Sequence, residues 1–188
     1  MDESLLVDPI SGLRKQINIG TEMRCIPIFA IIFLATSSAI AQSVPMGCYT
    51  KDYSDDHLAR NPEQVVDQIS ILFIHRGGTI TAAVRVVLAD QGHAGRDGYG
   101  GMEVSEFAVS AGDYNVSRRF NVDCDGGGFD VIESDSESLV IETSRFRLSG
   151  NNCINELSGS SLVEDGSSST RYKLERPGEM TCDWFLSN

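Results

Sequence analysis

The chain has 188 residues and carries 27 acidic against 15 basic side chains, a formal net charge of −12. Such a surface repels phosphate backbones and anionic lipids, so the composition argues against nucleic acid and membrane surfaces as partners. It favours basic proteins, cations or neutral ligands.

The first feature along the chain is a secretory signal at residues 23–41. It has a basic start at Arg24, an apolar run over 26–35 and the cleavage triplet Ala39-Ile40-Ala41. The apolar run is about ten residues long, whereas a membrane span needs about 20. We therefore expect cleavage before Gln42 rather than a membrane anchor.

The residues on either side of this signal allow other interpretations. Residues 1–22 precede it without apolar periodicity, so we expect a mis-assigned start, with Met23 the true start, or a disordered leader. A lipoprotein with Cys48 lipidated is the other alternative; Pro45 is unsuitable there, and lipidation would leave an odd number of thiols. The mature chain, 42–188, has the size of a single domain, and we expect it in the periplasm or secreted.

The mature part begins with one helix signal and then reads as strands. Ser54 caps a short helix over 54–60, with two aspartates in its first turn and Pro62 beyond its end. The alternating runs 65–76 and 79–88 flank Gly77-Gly78, a pattern typical of a β-hairpin.

The next two strand signals are less regular. Residues 102–110 shift phase between Val104 and Phe107, which suggests a bulge. The run Asp113 to Asp123 alternates with Tyr114, Val116, Phe120 and Val122 on one face, and Arg118 lies in the middle of that face. A buried guanidinium must be paired, so Arg118 is a candidate ligand contact; the competing interpretation is that it turns outward or has a structural acidic partner.

The rest of the chain continues this pattern. Shorter strand runs are predicted at 129–133, 139–143, 146–148, 171–175 and 182–186, with loops over 89–101 and 157–170. We therefore predict an all-β fold, an antiparallel barrel or sandwich of about eight strands, with one short helix near the N-terminus.

Four cysteines remain after cleavage, and their wide spacing in an exported protein indicates two structural disulfides. Three pairings are open on sequence alone. We favour Cys48 with Cys182, which joins the two ends of the domain, and Cys124 with Cys153, which joins two turns.

No catalytic, cofactor or metal motif stands out. The stretch 123–130 places three carboxylates around Gly126-Gly127-Gly128, but it lacks the ligand spacing of a calcium loop, so a tight glycine turn is the better interpretation. His57, His75 and His93 have no metal-ligand spacing, and no serine stands in a nucleophile elbow. We expect neither an enzyme nor a cofactor.

Several short motifs resemble a group of functionally uncharacterised, small exported alphaproteobacterial proteins. The motifs are Cys48-Tyr49, Tyr53, Asp56-His57-Leu58, Asn61-Pro62, Gln64 and Cys124-Asp125-Gly126-Gly127-Gly128-Phe129. The last resembles the group's Cys-Asp-Gly-Gly-Gly-x-Phe motif, although Phe129 directly follows Gly128 in this chain. The resemblance implies a periplasmic address and a disulfide-stapled β domain, and it offers no catalytic residue.

The sequence thus predicts a non-enzymatic periplasmic binding protein whose loops or barrel interior hold an unknown protein or small molecule. The alternative function is a protein inhibitor of a lysozyme-type cell-wall hydrolase, because an acidic, disulfide-bonded barrel suits a basic target.

Overall fold

The fold is a closed antiparallel β-barrel in which each strand pairs with the next along the chain and the last pairs with the first. The computed structural model describes residues 44, 46–112, 117–123, 125–148, 161–177 and 182–185. Within them the strands are β1 Gly47–Asp52, β2 Val66–Arg76, β3 Thr79–Leu88, β4 Glu103–Ser110, β5 Arg119–Val122, β6 Gly127–Ser134, β7 Ser138–Phe146 and β8 Thr170–Glu175. The prediction of an all-β fold is confirmed, and a barrel replaces the alternative of a sandwich.

The two clearest local predictions are correct. β2 and β3 form one hairpin across Gly77-Gly78, both at positive φ, and Arg76 pairs with Thr79. The helix α1, Asp55–Arg60, begins after Ser54, whose side chain accepts a hydrogen bond from the His57 amide at 3.3 Å.

The barrel has two different ends. Helix α1 joins β1 to β2, and a second short helix, α2 (Gly92–Arg96), joins β3 to β4, so both lie at one end, which we call the helix end. The opposite end, which we call the hairpin end, carries the Gly77-Gly78 turn and the connection from β6 to β7. The sequence predicted only a loop where α2 forms, so this helix is an addition to the predicted fold.

Five aromatic side chains contact one another in the barrel interior. Tyr49 contacts Phe73 at 6.4 Å between ring centroids, and Phe73 contacts Phe120 at 5.1 Å. Phe120 stacks on Phe129 at 5.3 Å, and Phe129 stacks on Phe146 at 5.8 Å. All five are at most 1% exposed. These rings form a row across the interior, and burying each contributes about 1.5–3 kcal/mol.

Strand β4 corrects one prediction. Its pairing with β3 runs from Thr81↔Val109 to Val87↔Glu103 without a register shift, so the predicted bulge is absent there. Val104 and Ala108 point into the barrel, whereas Phe107 lies on the outside and is 39% exposed. The phase shift in the sequence reflects an outward aromatic residue.

The C-terminal run predicted as a strand over 182–186 is instead a 3₁₀ helix at Asp183–Phe185. Cys182, directly before it, is bonded to Cys48 with the two Cα atoms 6.0 Å apart, which confirms this predicted disulfide. Cys124 and Cys153 lie outside the described residues, so their pairing stays a prediction.

Candidate functional site

A cavity of about 420 Å³ opens on the outside of the barrel at its helix end. The last residues of β7 form one wall, the region of α2 forms another, and residues 161–165 form the third. Ligand pockets span roughly 300–1,000 Å³, so the cavity is large enough for a small molecule.

The wall from β7 carries two arginines. Thr143 and Phe146 are both buried although three residues apart, which leaves Ser144 and Arg145 exposed between them. Beyond the strand, Arg147 is exposed and Leu148 is buried again. Arg145 and Arg147 therefore flank the buried Phe146, and both line the cavity.

The glycine-rich motif holds this wall in position. The Arg147 amide donates a hydrogen bond of 2.8 Å to the Gly126 carbonyl. Gly127 has a φ of +78°, and a Cβ there would lie 2.0 Å from the Arg145 carbonyl oxygen. From Gly127 onward, the stretch expected as a glycine turn at 123–130 belongs to strand β6 instead, and its glycines let β6 approach the backbone of the two arginines.

The opposite wall is an ion-pair cluster. His93 lies between two oxygen atoms, with Nε2 3.0 Å from the Ser161 carbonyl oxygen and Nδ1 3.3 Å from Asp165 Oδ1. Arg96 donates to the other oxygen of Asp165. This hydrogen bond, aided by the positive charges of Arg96 and His93, holds the pKa of Asp165 below its usual range.

A second group of polar side chains lies near α1 at the same end. The His57 ring lies 4.9 Å from the Tyr53 ring, and its Nε2 is 2.9 Å from Gln64 Oε1. Burial, and then the negative charge of Glu164, raises the pKa of Tyr53 to about 12. Burial also raises the pKa of Glu164, while the charge of His57 acts in the opposite direction.

Arg118, the candidate ligand contact predicted from the sequence, lies at the end of the barrel opposite this cavity. It precedes β5 at the hairpin end, is half-buried, and donates a hydrogen bond of 3.1 Å to Ser134 Oγ at the end of β6. Among the described residues it has no acidic partner, and its Nε is buried without a hydrogen bond. Two of its predicted neighbours, Tyr114 and Val116, lie outside the described residues, and its role as a ligand contact stays a prediction.

The sequence reasoning missed Arg145 and Arg147. The strands predicted at 139–143 and 146–148 left Arg145 in the gap between them, and Arg147 was assigned to the second strand without a role. The available signal was the alternation Arg145-Phe146-Arg147-Leu148, which places two arginines on one face over an apolar opposite face.

The described residues contain neither a metal-ligand cluster nor a membrane-spanning helix. None of their His, Cys, Asp and Glu side chains form a group of three that could hold a metal ion. No helix within this part of the chain has the length and apolar character needed to cross a membrane.

Comparison with known proteins adds no relative. No protein-family model matches the sequence, and no curated protein or solved structure shows significant similarity to it.

Proposed function

We propose that this chain is an exported, non-enzymatic binding protein that takes a small ligand in the cavity at the helix end. The observation that carries the proposal is the position of this cavity. A row of buried aromatic rings occupies the barrel interior, whereas the outer cavity is open to solvent and has polar walls, one of them on strand β7. We therefore favour the outer cavity over the barrel interior as the ligand site.

The chemistry of the walls supports binding rather than catalysis. Nucleophilic catalysis by serine needs a base within hydrogen-bond reach of the hydroxyl. His93 is the histidine of the cavity, and both its ring nitrogens already face oxygen atoms of Ser161 and Asp165. It is therefore poorly placed to take a proton from Ser144 or from a ligand.

Export is the second part of the proposal, and the signal at 23–41 supports it. The disulfide between Cys48 and Cys182 is consistent with an oxidising compartment, since such bonds are rare in the reducing cytosol. N-terminal sequencing of protein from the periplasmic fraction tests this part. We expect a start at Gln42; a chain that retains residues 26–35 would contradict it.

Binding is tested by amide chemical shifts. The isotope-labelled mature protein is titrated with neutral, anionic and cationic small molecules, and we expect saturable shifts at Ser144, Ser161 and Val163. In the variant Ser144→Trp an indole occupies the cavity, so these shifts should disappear. The control Ser105→Trp lies on the exposed outer face of β4 and should bind like wild type. Shifts that are absent, or equal in the two variants, would refute the proposal.

The alternative function, inhibition of a lysozyme-type hydrolase, has its own support near α1. Burial raises the pKa of Asp67, and the negative charges of Asp52 and Asp55 raise it further, so several carboxylates are close together there. A basic enzyme would be attracted to such a surface. A turbidity assay with a basic lysozyme is the test, and uninhibited lysis at equimolar protein would reject this alternative.

A further inference from the structure

The charged side chains of the cavity are separated by sign: Asp97 and Asp165 belong to the walls formed by the α2 region and residues 161–165, and Arg145 and Arg147 belong to the β7 wall. Its two carboxylates, Asp97 and Asp165, have basic neighbours: Asp165 contacts His93 and Arg96, and the charge of Asp97 also acts on Arg96. The two carboxylates thus share one nearby cation, Arg96, on which the charge of Glu63 also acts.

The two arginines differ from these carboxylates. Within the part of the chain that the structure describes, their hydrogen bonds are made by the backbone amides, and neither the Arg145 nor the Arg147 guanidinium has a hydrogen-bond or ion-pair partner. Arg171 on the neighbouring strand β8 differs, because it donates to Glu142 at 2.9 Å. In a chain with a net charge of −12, these two arginines on one concave wall form a local positive surface.

From this arrangement we propose that the cavity binds a small anion, a carboxylate or a phosphate, through Arg145 and Arg147. This inference rests on the proposed function, since it names the ligand class of the same cavity. Guanidinium groups are the preferred partners of both anions because their N–H groups form parallel charge-assisted hydrogen bonds. Two residues along an extended chain rise by about 6.6 Å, a spacing from which two long side chains can converge on one anionic group.

The fold supports this use of the arginines in two ways. Phe146 between them is fully buried, and the hydrogen bond from the Arg147 amide to Gly126 ties the strand end to β6, so both side chains project from fixed backbone. Hydroxyl groups of Ser144 and Ser161 lie in the same walls and could donate to further oxygen atoms of the ligand.

The test uses isothermal titration calorimetry on the mature protein at constant ionic strength. The probes are inorganic phosphate and citrate, which distinguish phosphate from carboxylate, together with neutral glucose and cationic choline. We expect saturable binding of at least one anion and none of choline.

The decisive variant is Arg145→Gln with Arg147→Gln, and its matched control is Arg171→Gln with Lys173→Gln. The control removes the same charge from two exposed positions on β8 that do not line the cavity. We expect anion binding to weaken at least tenfold in the first variant and to stay within twofold of wild type in the control. Equal weakening in both would mean a general charge effect and would overturn the inference.

Two safeguards keep the outcome interpretable. The thermal midpoint of each variant is measured first, and the single variants Arg145→Gln and Arg147→Gln replace the double variant if it does not fold. If glucose, but neither anion, perturbs the cavity amides, the binding function stands and the anion inference fails. If none of the four probes binds, the inference fails, and the wider small-molecule titration then decides the proposed function separately.

Discussion

The Phe185 ring packs edge-on against the Phe107 ring, with 5.2 Å between their centroids. Phe107 belongs to a row of paired residues across the outside of the barrel, which contains Cys48, Leu72, Ala83 and Phe107 on β1 to β4 in that order. Because Cys182 is bonded to Cys48, the C-terminal segment lies across this row and is attached at both sides. The disulfide and the aromatic pair therefore both attach the C-terminal segment to the outside of the barrel.

We predict that Cys182→Ser destabilises the protein by about 2–5 kcal/mol, the range for loss of a structural disulfide. The bond joins residues separated by 134 positions, so its loss frees a long loop in the unfolded chain. Urea denaturation of the variant against wild type measures the effect. Cys48→Ser should give the same value within about 0.5 kcal/mol, and stability unaffected by a reducing agent would contradict the prediction.

The glycine motif provides a second prediction. A Cβ at Gly128 would lie 1.9 Å from the Phe120 carbonyl oxygen, which is far inside contact distance, so Gly128→Ala must displace β5 from β6. We expect a loss above about 3 kcal/mol or failure to fold. Gly112→Ala is the control because its Cβ would meet Ser117 Cβ at an ordinary 3.5 Å. Similar midpoints of thermal unfolding for the two variants would argue against the close approach.

Arg118 carries the third prediction. Its hydrogen-bond partner is the neutral Ser134 hydroxyl, and the side chain is only half-buried, so Arg118→Ala should cost about 1–2 kcal/mol rather than the larger penalty of a broken buried ion pair. The measurement is a double-mutant cycle with Ser134→Ala, in which we expect a coupling of about 0.5–1 kcal/mol. A change below about 0.5 kcal/mol in the single variant would indicate that Arg118 faces solvent.

The fourth prediction concerns pH. Burial raises the pKa of Glu164 above its ordinary value of 4.5 in the folded protein. A group with a raised folded pKa contributes its stability below the unfolded pKa and loses it as the pH rises through the folded value. The ionised Glu164 side chain should therefore destabilise the folded protein at pH 7.

The variant Glu164→Gln removes this charge and should be more stable than wild type at pH 7, by less than about 1 kcal/mol because the site is partly exposed to solvent. At pH 4 the difference should shrink. Chemical denaturation at both pH values checks this, and Glu133→Gln, an exposed position on β6, is the control. A gain at pH 4 that equals or exceeds the gain at pH 7 would exclude the burial effect.

Local patterns in the sequence determined much of this protein. The alternation on both sides of Gly77-Gly78 predicted β2 and β3 because each strand hides one face, and the oxygen of Ser54 predicted the start of α1 because it satisfies a free amide. The expectation that Cys48 pairs with Cys182 came from their positions near the two ends of the domain. The strands and the helix were predicted from residues close together in the sequence. The disulfide was predicted from the positions of its two cysteines near the ends of the domain.

Other features were decided only by the tertiary structure. Strand β1 went unrecognised because its one fully buried side chain, Tyr49, provides no alternation, yet its pairing with β2 and the contact Thr50↔Glu175 close the barrel. The helix α2 also formed where only a loop was expected. Closure depends on residues distant in sequence, and no local pattern encodes which strand meets the last one.

The cavity is also a feature that only the tertiary structure decided. It arises where the end of β7 meets α2 and residues 161–165, three segments that the sequence keeps far apart. The sequence determined that Arg145 and Arg147 share a face, since that follows from the alternation around Phe146. Only the assembled barrel decided that this face is concave and that neither arginine meets a carboxylate among the described residues, because charge pairing depends on distances in space.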